Sequence, residues 1–206
     1  MEKGYIHLKN AIPIDMVSEA RSRAITLKKF YKDLEGQDRH NGSGRFWKGL
    51  ELASTLDPNL FKLYTASFMH DIACRYLYTD KPYLFNDQVV VKLPNEKFSF
   101  DPHWDNQFGP DPEGALKGEF KTINCCWILT NMPEETGPLS IKNTITDEYD
   151  LVPANAGDIV IIDGNTWHSS TENKSDKIRA LYACVYSSKP IGNFQKGYYN
   201  EEFIKK

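Results

Sequence analysis

The sequence predicts a mainly β protein, a sandwich or barrel of strands with helices packed outside it. After Pro82 the chain consists of short runs of β-branched and aromatic residues, which clusters of Gly, Pro, Asn and Asp separate. Before Pro82 the apolar residues recur with the period of an α-helix. Two helices followed by roughly seven or eight short strands are typical of a β-sandwich or β-barrel with external helices.

Two helices are predicted in the first part of the chain. The first runs from Pro13 to about Leu34, because a proline and an early acidic residue are typical of a helix start and apolar residues follow at helical spacing. The second runs from about Pro58 to Tyr78 for the same periodic reason. Between them, residues 36–49 hold four glycines among polar residues, which is typical of a mobile loop.

The second part of the chain is predicted to form the strand core. The predicted strands are Gln88–Leu93, Thr122–Thr130, Pro138–Ile141, Asp158–Ile162 and Arg179–Ser187. Because the sequence contains no repeat, low-complexity tract or linker, residues 1–206 are predicted to be a single domain. In it, the helices and lid loop of residues 1–80 pack on a core of residues 83–190.

The composition excludes several classes of partner. The net charge is -3 with no run of like charges, so the basic face of a nucleic-acid-binding protein is not expected. No apolar run approaches the length of a secretory signal or a membrane helix. The four cysteines lack C-x-x-C spacing and are expected to be free thiols in a core. These features favour a cytoplasmic protein with no nucleic-acid or membrane partner.

Three residues form a candidate metal centre. In extended chain, residues two apart project to the same face, so His103 and Asp105 could chelate one ion. An H-x-D pair alone is weak evidence, but His168 follows the predicted strand that ends near Asp163. Two imidazoles and one carboxylate are the ligand set that suits iron(II), and they leave three coordination positions open.

Arg179 supplies a second chemical signal. It lies 11 residues after His168 and begins the next apolar strand. If residues 171–177 turn back, its side chain points into the same cavity, where a guanidinium needs an anion. A dicarboxylic keto acid that chelates iron at one end would offer its far carboxylate to this arginine. The alternatives are a surface arginine or an internal salt bridge.

The segment from His168 to Arg179 resembles the second half-motif of the phytanoyl-CoA dioxygenase family. In that family a His is followed by Ser at plus two, Asn at plus five, Ser or Thr at plus seven and Arg at plus 11. The matching residues are Ser170, Asn173, Ser175 and Arg179. Four other features of the family have counterparts in this chain. His103-Trp-Asp105 resembles its H-x-D, and Gly157-Asp158 resembles its G-D lead-in. Trp127 resembles its tryptophan strand, and Thr136-Gly-Pro-Leu139 resembles its N-G-P-L segment.

The resemblance implies a double-stranded β-helix (jelly-roll, cupin-like) core and a set of site residues. It implies iron held by His103, Asp105 and His168. It places the distal carboxylate of 2-oxoglutarate on Arg179, supported by Ser170. Lys92 and Trp127 also resemble positions that contact the co-substrate. The chain departs from many members after Leu139, where Ser140-Ile-Lys142 replaces a P-G-S-H segment, and it is shorter than typical members.

The expected activity is that of a non-haem iron(II)- and 2-oxoglutarate-dependent dioxygenase. It would hydroxylate an unactivated C–H bond of a small molecule with dioxygen and release succinate and CO₂, with ascorbate as a candidate reductant. A carboxylate at Asp105 favours hydroxylation over halogenation, because a related halogenating subgroup has a small residue there. Two other classes stay open: a zinc-type hydrolase with the same ligands, and a non-catalytic jelly-roll binding protein.

Candidate substrate residues are aromatic or basic and lie near the loop or near His103 and Asp105. Arg45 and Trp47 lie near the end of the glycine-rich loop, and Trp104 and Phe108 lie beside the two candidate ligands. A loop of this kind is a reasonable substrate-gated lid. A small polar metabolite and an acyl thioester remain alternatives for the substrate.

Overall fold

The computed structural model describes residues 1–30, 50–192 and 199–205. Its α-helices are α1 (Ile14–Phe30), α2 (Ala53–Leu56), α3 (Pro58–Tyr64), α4 (Ser67–Leu77) and α5 (Pro112–Leu116). The first strands are β1 (Tyr5–Leu8), β2 (Leu50–Glu51), β3 (Tyr83–Lys92), β4 (Phe100–His103) and β5 (Thr122–Ile128). The remaining strands are β6 (Leu139–Lys142), β7 (Tyr149–Val152), β8 (Ile159–Asp163), β9 (His168–Ser170) and β10 (Arg179–Ser187).

The strands form two antiparallel sheets. The larger sheet has the order β1-β8-β5-β10-β3-β2, and the smaller sheet has the order β4-β9-β6-β7. From β3 to β10 the chain passes back and forth between the sheets, with only β6 and β7 consecutive in one sheet. This alternation is the jelly-roll arrangement, and it confirms the predicted fold class.

The central strands of the larger sheet are buried on both faces. Every residue of β5 and of β10 is buried, because one face packs against the helices and the other faces the smaller sheet. Trp127 and Tyr182 belong to the helix-side core, whereas Cys126, Ile128 and Leu181 belong to the core between the sheets. Side-chain alternation along a strand therefore separates the residues that hold the helices from those available to a site inside the sandwich.

The second predicted helix is interrupted. Residues 58–78 were expected to form one helix, but α3 ends at Tyr64 and α4 begins at Ser67. The Tyr64 carbonyl accepts a hydrogen bond from the Tyr186 hydroxyl of β10 at 2.7 Å, and the Thr65 hydroxyl donates to the Phe61 carbonyl at 2.8 Å. A side chain from a distant strand thus takes the carbonyl that a continuous helix would use.

Other expectations differ in smaller ways. The short strands β1, β2, β7 and β9 are additional, since two to four residues give little periodic signal. The glycine-rich loop at 36–49 lies outside the described residues. All four cysteines are free thiols, as expected. Within the part of the chain that the structure describes, no helix combines the length and apolarity needed to cross a membrane.

Candidate metal and anion site

His103, Asp105 and His168 come together at one end of the sandwich. Antiparallel pairing of β4 with β9 places His103 directly opposite His168. Asp105 Oδ1 lies 3.9 Å from His103 Nε2 and 3.5 Å from His168 Nε2. One potential ligand atom from each residue lies within 4.8 Å of the other two. Atoms this close could bind a single ion between them.

Backbone carbonyls orient both imidazoles. His103 Nδ1 lies 2.7 Å from the Asp101 carbonyl oxygen, and His168 Nδ1 lies 3.1 Å from that of Thr166. A carbonyl only accepts, so Nδ1 carries the proton in each ring and Nε2 is left with its lone pair. Burial, followed by the neighbouring His168, lowers the pKa of His103 and favours the neutral form that binds a metal.

Asn124 holds the carboxylate of Asp105. It lies on the inner face of β5, and its Nδ2 donates to Asp105 Oδ2 at 2.9 Å. That bond leaves Oδ1 facing the two imidazoles. Asn124 did not emerge from the motifs, although a polar residue inside an otherwise apolar buried strand was a usable signal.

The same cavity contains a buried positive charge, that of Arg179. His103, His168, Ser170 and Arg179 all line it. The Arg179 side chain is 1% exposed, and none of its three guanidinium nitrogens has a hydrogen-bond partner among the described residues. Burial lowers the pKa of Arg179 to about 10, still well above neutral pH. A charged, fully buried and unpaired guanidinium calls for an anion at this end of the cavity.

Lys92 places a buried amino group beside Arg179. The two residues are opposite each other in the pairing of β3 with β10. Lys92 Nζ donates to Ser170 Oγ at 2.8 Å and to the Thr171 carbonyl. Burial and the charge of Arg179 lower the pKa of Lys92 to about 6. Arg179, which stays charged, therefore lies next to an amino group that is mostly neutral at neutral pH.

Asn173 fixes the turn that joins His168 to Arg179. Its Nδ2 donates to the carbonyls of Leu93 and Lys177 at 2.9 and 2.7 Å, and its Oδ1 accepts from Ser175 Oγ at 2.8 Å. The loop after β9 is thereby tied to the end of β3. The Asn and Ser of the motif thus fix the loop that brings Arg179 into the cavity of the histidines.

Trp127 does not join these residues, contrary to expectation. It points to the helix side of β5, where its Nε1 lies 3.2 Å from Met69 Sδ and its ring packs on Phe68 with centroids 5.5 Å apart. Trp127 therefore lies in the helix-side core and not among the described residues that line the cavity. Strand alternation explains this, because Cys126 and not Trp127 shares the inner face with Asn124.

Of the four predicted substrate residues, two lie at the edge of the site and two lie outside the described residues. The Phe108 ring lies 6.0 Å from the His103 ring, between centroids, and Trp104 is half-buried next to His103. Arg45 and Trp47 lie outside the described residues. Gln88, which was not predicted, also lines the cavity.

The sequence matches the model of a known protein family, and the fold matches those of solved structures. The family model described as Phytanoyl-CoA dioxygenase (PhyH) matches residues 1–181. Dioxygenase af480 of Aspergillus fumigatus is 38% identical over 89 residues, and the match covers 35% of this chain and 29% of that relative's length.

Two solved structures illustrate the likeness in fold. The epimerase SnoN in complex with Fe3+, alpha ketoglutarate and nogalamycin RO superposes with a TM-score of 0.74 at 20% identity, covering 92% of this chain and 80% of that one. EctD from S. alaskensis with 2-oxoglutarate and 5-hydroxyectoine gives a TM-score of 0.74 at 17% identity, covering 94% and 77%. At these identities the likeness shows the fold. The family model, which spans most of the sequence, shows that the chain belongs to the phytanoyl-CoA dioxygenase (PhyH) family.

Proposed function

We propose that this protein is an iron(II)- and 2-oxoglutarate-dependent oxygenase. It hydroxylates an unactivated C–H bond of a small molecule and releases succinate and CO₂. The observation that carries the proposal is the unpaired guanidinium of Arg179, buried in the same cavity as the His103, Asp105 and His168 cluster. A metal site and an anion site in one cavity fit a co-substrate that carries a chelating group and a separate carboxylate.

The chain's own residues bind and orient the reactants. His103, Asp105 and His168 would hold iron(II), and Asn124 keeps the Asp105 carboxylate turned towards the imidazoles. Arg179, with Lys92 and Ser170, would bind the distal carboxylate of 2-oxoglutarate. Val90 and Leu181 line the cavity and exclude water from it. When bound, iron(II) and 2-oxoglutarate supply the oxidation by dioxygen, and ascorbate is a candidate reductant for resting iron.

Asp105 supports hydroxylation as the outcome. Its carboxylate lies beside both imidazoles, where it would fill the third ligand position. A halide would need a ligand position that lacks a carboxylate, so the presence of Asp105 favours hydroxylation over halogenation.

The free cysteines and the composition support a cytoplasmic location.

Two rival functions need different residues in the cavity. A zinc-type hydrolase would use the three ligands but would not need the buried guanidinium of Arg179. A non-catalytic binding protein would keep an anion site without turnover. Neither accounts for the metal cluster and the Arg179 end together as well as an oxygenase does.

Succinate formation and co-substrate binding test the proposal together. Purified protein is given iron(II), ascorbate and 2-oxoglutarate in air, and succinate is measured. A parallel anaerobic titration follows the visible absorption band of the iron–keto acid complex. Arg179→Met should raise the 2-oxoglutarate concentration needed for half-saturation about 100-fold while metal binding persists. Asp105→Ala should lose most of the iron affinity or most of the turnover.

The exposed Arg21 offers a matched control for the loss of a positive charge. Arg21→Met should leave both readouts as in the parent protein. Neither succinate nor an absorption band in the parent protein would overturn the oxygenase proposal. A band without succinate under any condition would favour the non-catalytic binding protein.

A further inference from the structure

Two buried amide oxygens that face the interior of the sandwich have no hydrogen-bond partner among the described residues. Asn86 and Gln88 are two residues apart on β3, so their side chains project to the same face. Asn86 Oδ1 and Gln88 Oε1 are buried, and neither has a hydrogen-bond partner within the described ranges. Gln88 lines the cavity that contains His103 and His168. Buried acceptors of this kind are costly unless something donates to them.

We propose that Gln88 and Asn86 bind the substrate, and that the substrate offers them N–H or O–H donors. This inference rests on the proposed oxygenase function and names the class of molecule that the site takes. The predicted substrate is a small hydroxylated or amino compound.

Strand register separates these acceptors from the co-substrate end. Across the larger sheet, one row contains Lys92 and Arg179. Gln88 lies four residues before Lys92 on β3, about 13 Å along the strand. Acceptors at that level are therefore too far along the sheet to serve the carboxylate at Arg179.

The same register brings the acceptors level with the metal ligands. Asn86 lies opposite Val185 of β10, which in turn lies opposite Asn124 of β5. Asn124 donates to Asp105, and neighbouring strands are about 4.8 Å apart, so Asn86 is about 10 Å from the strand that positions a metal ligand. The target carbon of the substrate would lie in the space between Asn86 and the metal ligands.

Ala183 leaves room for a ligand at this level. It sits opposite Gln88 on β10 and also opposite Cys126 on β5, and all three residues line the cavity. A methyl side chain between two longer ones opens a space above β10. An apolar acyl chain in that space would leave the Gln88 oxygen unpaired, whereas a hydroxyl or amino group would satisfy it.

Stimulation of succinate formation by defined compounds tests the inference. The donor-bearing probes are glucose, myo-inositol, L-lysine and spermidine. The comparison probes, which lack N–H and O–H donors, are penta-O-methylglucose, glycine betaine and methyl octanoate. We expect at least one donor-bearing probe to raise the succinate rate of the parent protein above the rate without probe, and the comparison probes to leave it unchanged.

Variants of Gln88 decide whether the response arises at this side chain. Gln88→Met keeps the length but removes the acceptor. It should raise the half-saturating concentration of the active probe about tenfold or more. Gln88→Glu keeps oxygen acceptors and removes the N–H donors, so it should retain the response. Ala183→Val fills the space while leaving the acceptor, and it should also lose the response. Thermal unfolding of each variant checks that it is folded.

The outcomes are separable from failure of the proposed function. An iron–2-oxoglutarate absorption band in the parent protein establishes the co-substrate site independently. With that band present, the inference is overturned by three results: stimulation only by comparison probes, an unchanged response in Gln88→Met, or an equal loss in Gln88→Glu and Gln88→Met. Loss of the absorption band in Gln88→Met would place this residue on the co-substrate and overturn it too. A parent protein that shows the band and responds to no donor-bearing probe also counts against it.

Discussion

Asn124 is a polar side chain in the middle of an apolar strand, and its position has a clear cause. Its neighbours Ile123 and Cys125 face the helix-side core, while Asn124 faces the space between the sheets. There its amide donates to the Asp105 carboxylate at 2.9 Å. A hydrogen bond of this type orients a ligand and lowers the cost of holding it in one rotamer.

We therefore predict that Asn124→Ala weakens iron(II) binding about 10- to 100-fold without removing any ligand. Competition with a chelator under nitrogen measures the affinity. Asn131→Ala provides the control, since the Asn131 side chain accepts a hydrogen bond from the Ala156 backbone at the surface, away from the site. Equal metal affinities for the parent and Asn124→Ala would show that Asp105 needs no such support.

Lys92 is a titratable group whose protonation should depend on the co-substrate. Burial and the charge of Arg179 lower its pKa to about 6, while Glu96 and Glu172 act weakly in the opposite direction. At pH 7.5 the side chain is thus mostly neutral in the free protein. A bound carboxylate stabilises the charged form and raises the pKa.

Binding of 2-oxoglutarate at pH 7.5 should accordingly take up a proton, and affinity should fall as pH rises above about 6. Anaerobic calorimetry in buffers of different ionisation enthalpy measures the uptake. Lys92→Met should bind more weakly and take up no proton. Proton-independent binding by the parent protein at this pH would exclude Lys92 from the co-substrate site.

At the scale of elements, Asp87 joins three parts of the fold. Its buried carboxylate accepts from the Ser54 backbone at 2.9 Å, from the Ser54 hydroxyl at 2.8 Å and from the Tyr182 hydroxyl at 2.8 Å. The Tyr199 hydroxyl, from the C-terminal segment, lies 2.5 Å from Ser54 Oγ. One side chain of β3 thereby ties α2, β10 and the C-terminal segment together.

The pKa of Asp87 makes this junction sensitive to pH. Burial raises the pKa from 3.8 to about 6 in spite of the donors around it. The folded protein therefore holds the proton more tightly than the unfolded chain does. The corresponding stability is fully present below about pH 4 and is lost as pH rises through about 6, a loss of about 3 kcal/mol.

Asp87→Asn should remove that dependence, so that its free energy of unfolding changes less between pH 4 and 7 than that of the parent. Urea denaturation across this range measures the difference. Asp176→Asn, at an exposed position, should keep the parent's slope. Parallel pH profiles for the parent and Asp87→Asn would contradict the assignment of this slope to Asp87.

Gly137 allows a close approach between two loops. Its φ is +69°, and a Cβ there would collide with the carbonyl oxygens of Thr171 and Glu172. Those carbonyls belong to the loop after β9 that leads to Arg179. The glycine before β6 thus lets this loop pack against its neighbour.

Comparison with a second glycine separates backbone strain from collision. Gly118 has a similar φ of +74°, but a Cβ there would have nothing within 4 Å. We expect Gly118→Ala to cost about 1 kcal/mol and Gly137→Ala about 2–4 kcal/mol, together with weaker 2-oxoglutarate binding. Denaturant unfolding and the anaerobic titration give both values. Equal costs in the two variants would mean that the loop contact is unimportant.

At the scale of the whole molecule, helices, sheet and C-terminal segment share one core. The helix-side core unites Ala20 of α1, Tyr64 of α3, Trp127 of β5 and Phe203 near the C-terminus. The ring of Phe203 stacks on Tyr186, with centroids 5.5 Å apart. Elements that bury one another in this way should not unfold separately.

We therefore predict a single cooperative unfolding transition for the whole chain, as expected for one domain of residues 1–206. Under nitrogen, iron(II) and 2-oxoglutarate, each at about 100 times its Kd, should each add about 2.7 kcal/mol, or about 5–10 °C in Tm. Calorimetry measures both effects. Two resolved transitions would refute the single domain. At the same concentration, 2-oxoglutarate should add only about 0.4 kcal/mol when Arg179 is replaced by Met.

The sequence by itself determined the fold class and the candidate ligands. Strand and helix periods are local properties, so the limits of β10 and the start of α3 could be predicted from neighbouring residues. The spacing of His103 to Asp105 and of His168 to Arg179 is local too. His103 ends β4 and Asp105 begins the short 3-10 helix that follows, while one loop joins His168 to Arg179. That spacing was enough to name His103, His168 and Arg179, which line one cavity, and Asp105 beside the two imidazoles.

Tertiary structure decided everything that depends on a distant partner. The break between α3 and α4 coincides with a hydrogen bond between residues 122 positions apart, Tyr64 and Tyr186. One face of β5 packs against the helices, so Trp127 on that face points away from the site. Asn124 lies on the opposite face and points towards Asp105. The unpaired oxygens of Asn86 and Gln88 become visible only when the surrounding strands are in place. Sequence periods specify elements, whereas the partners of a buried polar group are set by how those elements pack.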